Sequence, residues 1–176
     1  PRSTLFPYTT LFRSFHPSGK PIAFGGRIFN SDDPAKYLNS PETPLYRKSS
    51  VFYGLQASRD AIRKDGYAVL VEGYMDFLKL YQASIHPVVA VSGTAFTPSH
   101  ATALSRITNK VVLLYDGDEA GGNAAIRAGW VLLKADLEPS IVRPPEGQDP
   151  DDWVGDAGKE SVISAIELPQ IGRAHV

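Results

Sequence analysis

The stretch VVLLYDGDEAGG, residues 111–122, joins a strand pattern to a cluster of acids. Five apolar or aromatic residues come first, and they predict a buried β-strand. Asp116, Asp118 and Glu119 follow within four residues, and like charges held this close repel one another. Two interpretations fit the pattern: the acids form a solvated turn, or divalent cations between them offset their repulsion.

The chain from about residue 65 onward repeats this alternation of strand and helix. Four short segments rich in β-branched residues predict strands: YAVLV at 67–71, PVVAV at 87–91, KVVLLY at 110–115 and SIVR at 140–143. Helical patterns lie between them, including an apolar stripe at Tyr74, Phe77, Leu78 and Tyr81 and a helix over 120–134. Strands that alternate with helices predict an α/β fold with a parallel sheet of about four strands and right-handed crossovers.

Residues 15–64 have a different composition. Gly, Pro and Ser punctuate short apolar pieces, which predicts a small irregular or antiparallel subdomain followed by a helix near 54–64. This segment carries eight Lys or Arg against four Asp or Glu, whereas residues 65–170 carry seven against fifteen. A basic part beside an acidic part fits a polyanion bound by one and cations bound by the other, although ordinary fluctuation explains the charge difference equally well.

The composition excludes several classes of protein. The 176 residues contain no cysteine, so neither disulfides nor cysteine zinc sites are possible within the chain. Hydrophobic residues make up 43% of the chain, which is enough for a core, but no run of eighteen apolar residues exists to span a membrane. We therefore expect no membrane association and a cytoplasmic location.

Both ends of the chain resemble translated DNA adapters. PRSTLFPYTTLFRS at 1–14 and IGRAHV at 171–176 back-translate into codons that resemble short-read sequencing adapters. We therefore expect these two segments to take no part in the fold. The biological segment would then be residues 15–170, truncated at both ends, and the alternative is a genuine arm and tail.

Five acids fall where the predicted strands end. Glu72 follows the first strand, Asp116 and Asp118 follow the third, and Asp149 and Asp151 come shortly after the fourth. Sites in parallel α/β sheets form at this carboxyl edge, so these acids should converge there. Ligand sets made only of oxygen suit Mg²⁺ or Mn²⁺, and mutual repulsion should raise the pKa of at least one acid.

These features also have purely structural interpretations. QDPDD at 148–152 is equally consistent with a helix start, with Pro150 at the first helical position and acids favoured by the helix dipole. The turn Ser92-Gly93-Thr94 could hold a phosphate group or could merely connect two elements.

In combination, the motifs resemble those of one family. VEGYMD at 71–76, VSGTAFT at 91–97, YDGDEAGGNAAIRA at 115–128 and PPEGQDPDD at 144–152 are similar, in order and spacing, to the TOPRIM domain of DnaG-type bacterial DNA primases. GKPIAFGGRIFN at 19–30 and KYLNSPETPLYRKSSVFYGL at 36–55 resemble the basic subdomain that precedes TOPRIM in that family. Gly121-Gly122-Asn123 departs from the family pattern, which often has one glycine and then a charged residue, but the acids are unaffected.

The resemblance implies a domain plan and an activity. The domains would be the C-terminal part of the basic subdomain at 15–64, the TOPRIM domain at 65–155 and the start of a helical subdomain at 156–170. The activity would be the synthesis of short RNA primers from ribonucleoside triphosphates on single-stranded DNA, by two-metal nucleotidyl transfer with Mg²⁺ or Mn²⁺. A zinc-binding domain and the region that contacts the replicative helicase would lie outside this segment, which alone would be inactive.

The resemblance also assigns roles to residues. Glu72, Asp116 and Asp118 would be the central acids, with Asp149 and Asp151 completing the metal site. Phosphate groups of the nucleotides and the template would be contacted by a basic set, namely Arg27, Lys36, Arg47 and Lys48. Such contacts set the position of a nucleic acid and do not read its bases.

The main alternative is another TOPRIM enzyme, either a topoisomerase or a nuclease, or a phage or plasmid primase-helicase. A topoisomerase needs a tyrosine nucleophile in another domain and leaves YLNSPETPLY at 37–46 unexplained. A haloacid dehalogenase-type phosphatase also uses Asp-x-Asp, but at the end of its first strand and followed by Thr or Val, whereas Glu119 follows Asp118 here. A non-catalytic nucleic-acid-binding module would not need acids at all five positions.

Overall fold

The structure is a computed structural model that describes residues 9–16, 18–28, 37–91 and 93–167. Within these ranges the chain forms a small antiparallel sheet, followed by a parallel sheet with helices on both faces. The predicted fold class is therefore confirmed. No helix in these ranges is long and apolar enough to cross a membrane.

The antiparallel sheet contains three strands: β1 (Thr9–Phe15), β2 (Pro21–Ile28) and β3 (Tyr37–Asn39). β2 lies in the middle and pairs with both neighbours. The basic segment thus begins with an ordered sheet, as its short apolar pieces and Gly-rich punctuation indicated.

β1 includes residues that we expected to take no part in the fold. Residues 9–14 belong to the adapter-like segment, yet they pair with β2 along their whole length. Phe12 is 2% exposed, and its ring stacks on Tyr74 with the centroids 4.5 Å apart. The expectation was wrong for these residues, because an edge strand needs only main-chain pairing and an apolar residue that faces the core. The origin of their codons stays a prediction, and residues 1–8 and 171–176 lie outside the described ranges.

The parallel sheet follows the predicted pattern. Its strands are β4 (Tyr67–Val71), β5 (Val88–Ala90), β6 (Lys110–Leu114) and β7 (Glu138–Val142), in the spatial order β5-β4-β6-β7. β4 and β6 are parallel neighbours, with Leu70 level with Leu113. Because both strands run in the same direction, the acids that follow them emerge at the same edge of the sheet.

Helices cover both faces of the parallel sheet. They are α1 (Leu55–Asp65), α2 (Tyr74–Gln82), α3 (Pro98–Ser105), α4 (Glu119–Leu133) and α5 (Pro150–Glu167). Leu70 and Leu113 pack against α1, α3 and α4, whereas Val69 and Leu114 pack against α2 and α5. β4 and β6 are therefore apolar on both faces, which explains why their sequences lack polar alternation.

The helices do not stop at the expected domain boundaries. α1, which we placed at the end of the basic subdomain, packs on β4 and β5 of the parallel sheet. Tyr53, just before α1, forms an antiparallel bridge with Ala90 of β5. α5 crosses the expected boundary at residue 156 and is broken at Gly158, where φ is 78°. The division into domains stays a prediction.

Candidate metal site at the carboxyl edge of the sheet

Strand ends and helix starts position the acids. Glu72 follows β4 directly, and Asp116 and Asp118 follow β6. Asp118 is the N-cap residue of α4, and its Oδ1 accepts a hydrogen bond of 2.7 Å from the Gly121 N–H. N-capping uses one carboxylate oxygen, so the helix start does not require the second oxygen of Asp118.

Asp149 directly precedes α5 and caps it in the same way as Asp118 caps α4. Its Oδ1 accepts a hydrogen bond of 2.7 Å from the Asp152 N–H, and Pro150 is the first helical residue. The structural interpretation of QDPDD is therefore correct, and it does not exclude a second role. Asp151 forms an ion pair with Lys79 of α2, with Nζ 3.4 Å from Oδ1, so a cation would have to compete with that lysine.

Two glycines allow the loops that carry these acids to approach each other closely. A Cβ at Gly117 would lie 2.5 Å from the Pro145 carbonyl oxygen, and the Gly117 N–H donates to the Gln148 carbonyl at 2.8 Å. A Cβ at Gly121 would collide with the carbonyl oxygen of Asp116. Only a residue without a side chain fits at these positions, so the glycines of YDGDEAGG hold the acidic loop in place.

A cavity of about 560 Å³ opens between the acidic edge and the antiparallel sheet. Six acids line it: Glu72, Asp76, Asp116, Asp149, Asp151 and Asp152. Arg27 of β2 and Tyr37 of β3 also line it, with the guanidinium carbon 5.5 Å from the Tyr37 ring centroid. The structure thus brings four of the five predicted acids into one cavity, whereas Asp118 is exposed and does not line it.

Asp76 is a candidate that sequence reasoning missed. It lies in the first turn of α2, is 8% exposed, and accepts a hydrogen bond of 3.0 Å from the Gly73 N–H through Oδ2. The signal for it was present in VEGYMD, because α2 begins at the carboxyl edge of the sheet and an acid in its first turn lies beside Glu72.

The environment of Glu72 disfavours its charged form. Burial and the negative charges of Asp116 and Asp118 raise the pKa of Glu72 to about 7, while Arg127 acts in the opposite direction. The prediction that at least one acid would have a raised pKa is therefore confirmed. Burial contributes more than the neighbouring charges on which the prediction was based.

Asp76 and Asp116 are affected in the same way. Burial, followed by the charges of Asp149 and Asp116, raises the pKa of Asp76 to about 7 against the opposing hydrogen bond from Gly73. Burial and the charges of Asp149 and Asp118 also raise the pKa of Asp116. The acids therefore lie within electrostatic range of one another and destabilise one another's ionised forms.

These acids have the oxygen ligands that a divalent cation prefers, but their side chains are not arranged as a complete coordination site. In the part of the chain that the structure describes, no three His, Cys, Asp or Glu side chains form a group that could hold a metal ion as they stand. Oε1 of Glu72 is buried and has no hydrogen-bond partner among the described residues, a cost that a cation nearby would relieve.

The predicted basic residues do not form one group. Arg27 lines the acidic cavity. Arg47 and Lys48 lie in the turn after Tyr46, outside that cavity, where the Lys48 N–H donates to Glu42 Oε1 at 3.1 Å. Lys36 lies outside the described residues.

The turn Ser92-Gly93-Thr94, which could hold a phosphate or merely connect two elements, is described only in part. Ser92 lies outside the described residues. Gly93 has a φ of 84° and lines the acidic cavity beside Glu72, whereas Thr94 lines a separate cavity with Tyr115. A left-handed turn suits glycine and brings its backbone close to the acids, but a phosphate role stays a prediction.

Comparisons with known proteins agree with the order of these elements. A model described as the N-terminal domain of the DNA primase catalytic core matches residues 6–59, and a Toprim-like model matches residues 69–154. The chain is 44% identical over 150 residues to a DNA primase of Aquifex aeolicus, in an alignment that covers 85% of this chain and 30% of that protein. It is 42% identical over 143 residues to a DNA primase of Listeria monocytogenes, covering 81% of this chain and 23% of that protein.

Solved structures give the same result. The crystal structure of the Aquifex aeolicus primase, with its zinc-binding and RNA polymerase domains, matches with a TM-score of 0.87 and 41% identity, covering 92% of this chain and 40% of that one. The DnaG primase catalytic domain bound to single-stranded DNA matches with a TM-score of 0.83 and 37% identity, covering 91% of this chain and 52% of that one. The chain spans between 23% and 30% of the length of the two curated relatives above. The chain is a segment of the catalytic core of a primase, and it belongs to the DnaG-type bacterial DNA primase family.

Proposed function

We propose that this chain forms the metal-binding part of an enzyme that synthesises short RNA primers from ribonucleoside triphosphates on a single-stranded DNA template. The observation that carries the proposal is the acidic cavity, which collects acids from the ends of β4 and β6 and from the starts of α2 and α5. A topoisomerase or nuclease is not favoured, because residues 6–59 match the primase N-terminal domain.

The acids would hold one or two divalent cations, Mg²⁺ or Mn²⁺. The ligands would come from Glu72, Asp76, Asp116 and Asp149, which line the cavity. Asp151 also lines it but is paired with Lys79, and Asp118 would contribute from outside the cavity. Bound there, the cations would neutralise the triphosphate, activate the primer 3′-hydroxyl and stabilise the departing pyrophosphate. Glu72 would serve as a ligand or as the nearby base.

The protein's own groups would position the nucleotide. Arg27 is half-buried and lines the cavity together with the acids, and a guanidinium can hold a phosphate through two parallel hydrogen bonds. Its position over the Tyr37 ring restricts its direction. We propose that Arg27 holds a nucleotide phosphate in the cavity while Arg47 and Lys48 contact the template backbone.

Further parts of the function would lie in the longer parent protein. Contact with the replicative helicase and zinc binding belong to regions that this chain does not cover. A cytoplasmic location follows from the proposed role, because a bacterial replication template lies in the cytoplasm.

Asp116→Asn in the full-length parent enzyme tests the proposal. The change keeps the size and hydrogen-bonding capacity of the side chain but removes one charge from the cation site. We expect ribonucleotide incorporation to fall about a thousandfold, because roughly 4 kcal/mol of lost transition-state stabilisation corresponds to three factors of ten. The free energy of unfolding should stay the same or rise, because a repelling charge has been removed.

Asp136→Asn is the matched control. Asp136 is exposed at the opposite edge of the same sheet, between α4 and β7, and its φ of 56° is one that Asn tolerates well. This variant should change neither incorporation nor stability. Near-normal incorporation by Asp116→Asn in Mg²⁺ would show that Asp116 is not a metal ligand.

A further inference from the structure

A hydrogen bond from Thr97 joins the basic turn, residues 47–50, to the start of α3. Thr97 directly precedes α3, and its Oγ1 donates to the carbonyl oxygen of Ser49, 48 residues earlier in the chain. Ser49 lies in the range that matches the primase N-terminal domain, and Thr97 lies in the range that matches the Toprim-like model. The bond therefore ties the turn that carries Arg47 and Lys48 to a helix that packs on the parallel sheet.

The structure of the helix start fixes the direction of the Thr97 side chain. Its Oγ1 accepts a hydrogen bond of 3.2 Å from the His100 N–H, and the Thr97 N–H donates to His100 Nδ1 at 3.2 Å. His100 is fully buried, with its ring centroid 4.7 Å from that of Phe52. A carbonyl oxygen can only accept, so the Thr97 hydroxyl uses its one proton for Ser49 and a lone pair for the helix cap.

The basic turn has a buried anchor on each side and polar contacts between them. Tyr46 and Phe52, which flank it, are 4% and 2% exposed. Between these anchors the Lys48 N–H donates to Glu42 Oε1 at 3.1 Å, and the carbonyl of the next residue accepts the bond from Thr97. Glu42 is exposed and Thr97 is half-buried, so water competes less well with the Thr97 bond. Loss of the Thr97 hydroxyl should therefore loosen the turn at Lys48.

We propose that Thr97 is a positioning residue for the basic turn. Its hydroxyl holds the backbone beside Lys48 in one conformation, so that the ammonium group is already placed for a phosphate of the single-stranded template. Thr97 acts through the turn and does not contact the nucleic acid. The consequence for template binding rests on the proposed function, whereas the effect on the turn does not.

Amide hydrogen exchange of the 176-residue chain, measured by NMR, tests the effect on the turn. The Ser50 and Val51 N–H groups both donate to the Arg47 carbonyl, at 3.0 and 3.1 Å, and report whether the turn is closed. Thr97→Asp keeps an acceptor for the helix cap but cannot donate to Ser49, so these two amides should exchange about fivefold faster. Thr97→Ser keeps both bonds and should exchange like the wild type.

The Ala101 amide separates loosening of the turn from damage to the helix. Its N–H donates to the Thr97 carbonyl at 3.1 Å within α3 and should keep its exchange rate in Thr97→Asp. Unchanged exchange at Ser50 and Val51 in this variant would overturn the proposal. Equal acceleration at Ala101 would overturn it too, because Thr97 would then act on the helix as a whole.

Binding of a fluorescently labelled oligothymidine, measured by anisotropy at several salt concentrations, tests the consequence for the template. Thr97→Val should weaken binding about threefold and lower the slope of log K against log salt by up to about 0.7, one phosphate contact. Thr102→Val removes a hydroxyl that donates to the Pro98 carbonyl within the same helix, and as the control it should change neither quantity. In a Lys48→Gln background, Thr97→Val should have no further effect.

The two assays separate failure of the positioning role from failure of the proposed function. If Lys48→Gln weakens DNA binding and Thr97→Val does not, the positioning role is refuted. An equal effect of Thr97→Val with and without Lys48 would refute it as well. If Thr97→Asp loosens the turn but Lys48→Gln leaves DNA binding unchanged, the role of Thr97 in the turn is supported and the template contact proposed for Lys48 is wrong.

Discussion

Asp76→Asn should stabilise the metal-free chain, because it removes a buried charge and keeps the contact that orients the side chain. Asp76 is 8% exposed, and its Oδ2 accepts a hydrogen bond from the Gly73 N–H at 3.0 Å. An amide oxygen can accept the same bond. The substitution therefore changes the charge and leaves size and local geometry nearly the same.

The size of the effect follows from the pKa of Asp76. Burial and then the charges of Asp149 and Asp116 raise this pKa from 3.8 to about 7. Roughly three pKa units correspond to about 4 kcal/mol, at ~1.4 kcal/mol for each unit. Neighbouring acids titrate together and share the cost, so we expect a gain of about 2–4 kcal/mol in the free energy of unfolding.

The gain should appear only as pH rises. Below a pH of 3.8 Asp76 is protonated in both the folded and the unfolded chain, so its charge costs nothing. Between 3.8 and about 7 the unfolded chain releases the proton more readily, which lowers the stability of the wild type relative to the variant. Above about 7 both states are ionised and the difference stays constant.

Urea unfolding of the 176-residue chain in EDTA at several pH values measures this difference. Asp60→Asn, on the exposed surface of α1, is the control and should change stability by less than about 0.5 kcal/mol at every pH. Adding Mg²⁺ should stabilise the wild type more than Asp76→Asn, because a cation binds the complete acid cluster more tightly. A difference that does not vary with pH would refute the buried-charge reasoning, and equal stabilisation by Mg²⁺ would exclude Asp76 from the site.

Two further predictions concern the acidic loop and the basic turn. Gly121→Ala should lower the free energy of unfolding by about 2–3 kcal/mol, because the added Cβ would collide with the Asp116 carbonyl oxygen. Gly129→Ala in the same helix is the control: the nearest atom to its added Cβ is 3.7 Å away, so this change should raise the free energy of unfolding by up to ~1 kcal/mol. Equal effects of the two variants in urea unfolding would contradict the packing argument. Lys48→Gln should weaken binding of a single-stranded DNA oligonucleotide and reduce the slope of log K against log salt by about 0.7, one phosphate contact. Lys134→Gln, at the far end of α4, should leave the slope unchanged, and an unchanged slope for Lys48→Gln would place the template elsewhere.

The parallel sheet could be predicted because β4, β5 and β6 are buried on both faces and therefore have continuous apolar sequences. The bounds of β4 agree with the prediction, but β7 begins at Glu138, two residues before the predicted start at 140. Pro139 lies inside the observed strand, although proline cannot donate a ladder hydrogen bond. β7 is an edge strand that pairs only with β6, so a residue without an N–H can face the open side.

The edge of the sheet at which the acids gather could be predicted, but the three-dimensional arrangement of their side chains could not. Strand ends predicted which acids would converge, but the burial of Asp76 depends on how α2 lies against the antiparallel sheet, which strand patterns do not specify. The pairing of residues 9–14 with β2 was missed for a related reason. Main-chain hydrogen bonds are nearly independent of side-chain identity, so the composition of this segment gave no sign that it pairs with β2.

The structural and the catalytic interpretations of the acids are compatible, because both have the same geometric cause. In a parallel α/β fold, helices begin at the carboxyl edge, where an acidic N-cap stabilises the helix and where ligands bind. Asp118 and Asp149 each use one oxygen to cap a helix. Glu72 and Asp116 cap none of the described helices, and burial raises the pKa of both, so their charges destabilise the metal-free fold. Acids that weaken the fold when ionised are better explained by a bound cation than by a solvated turn, and both of these acids line the proposed site.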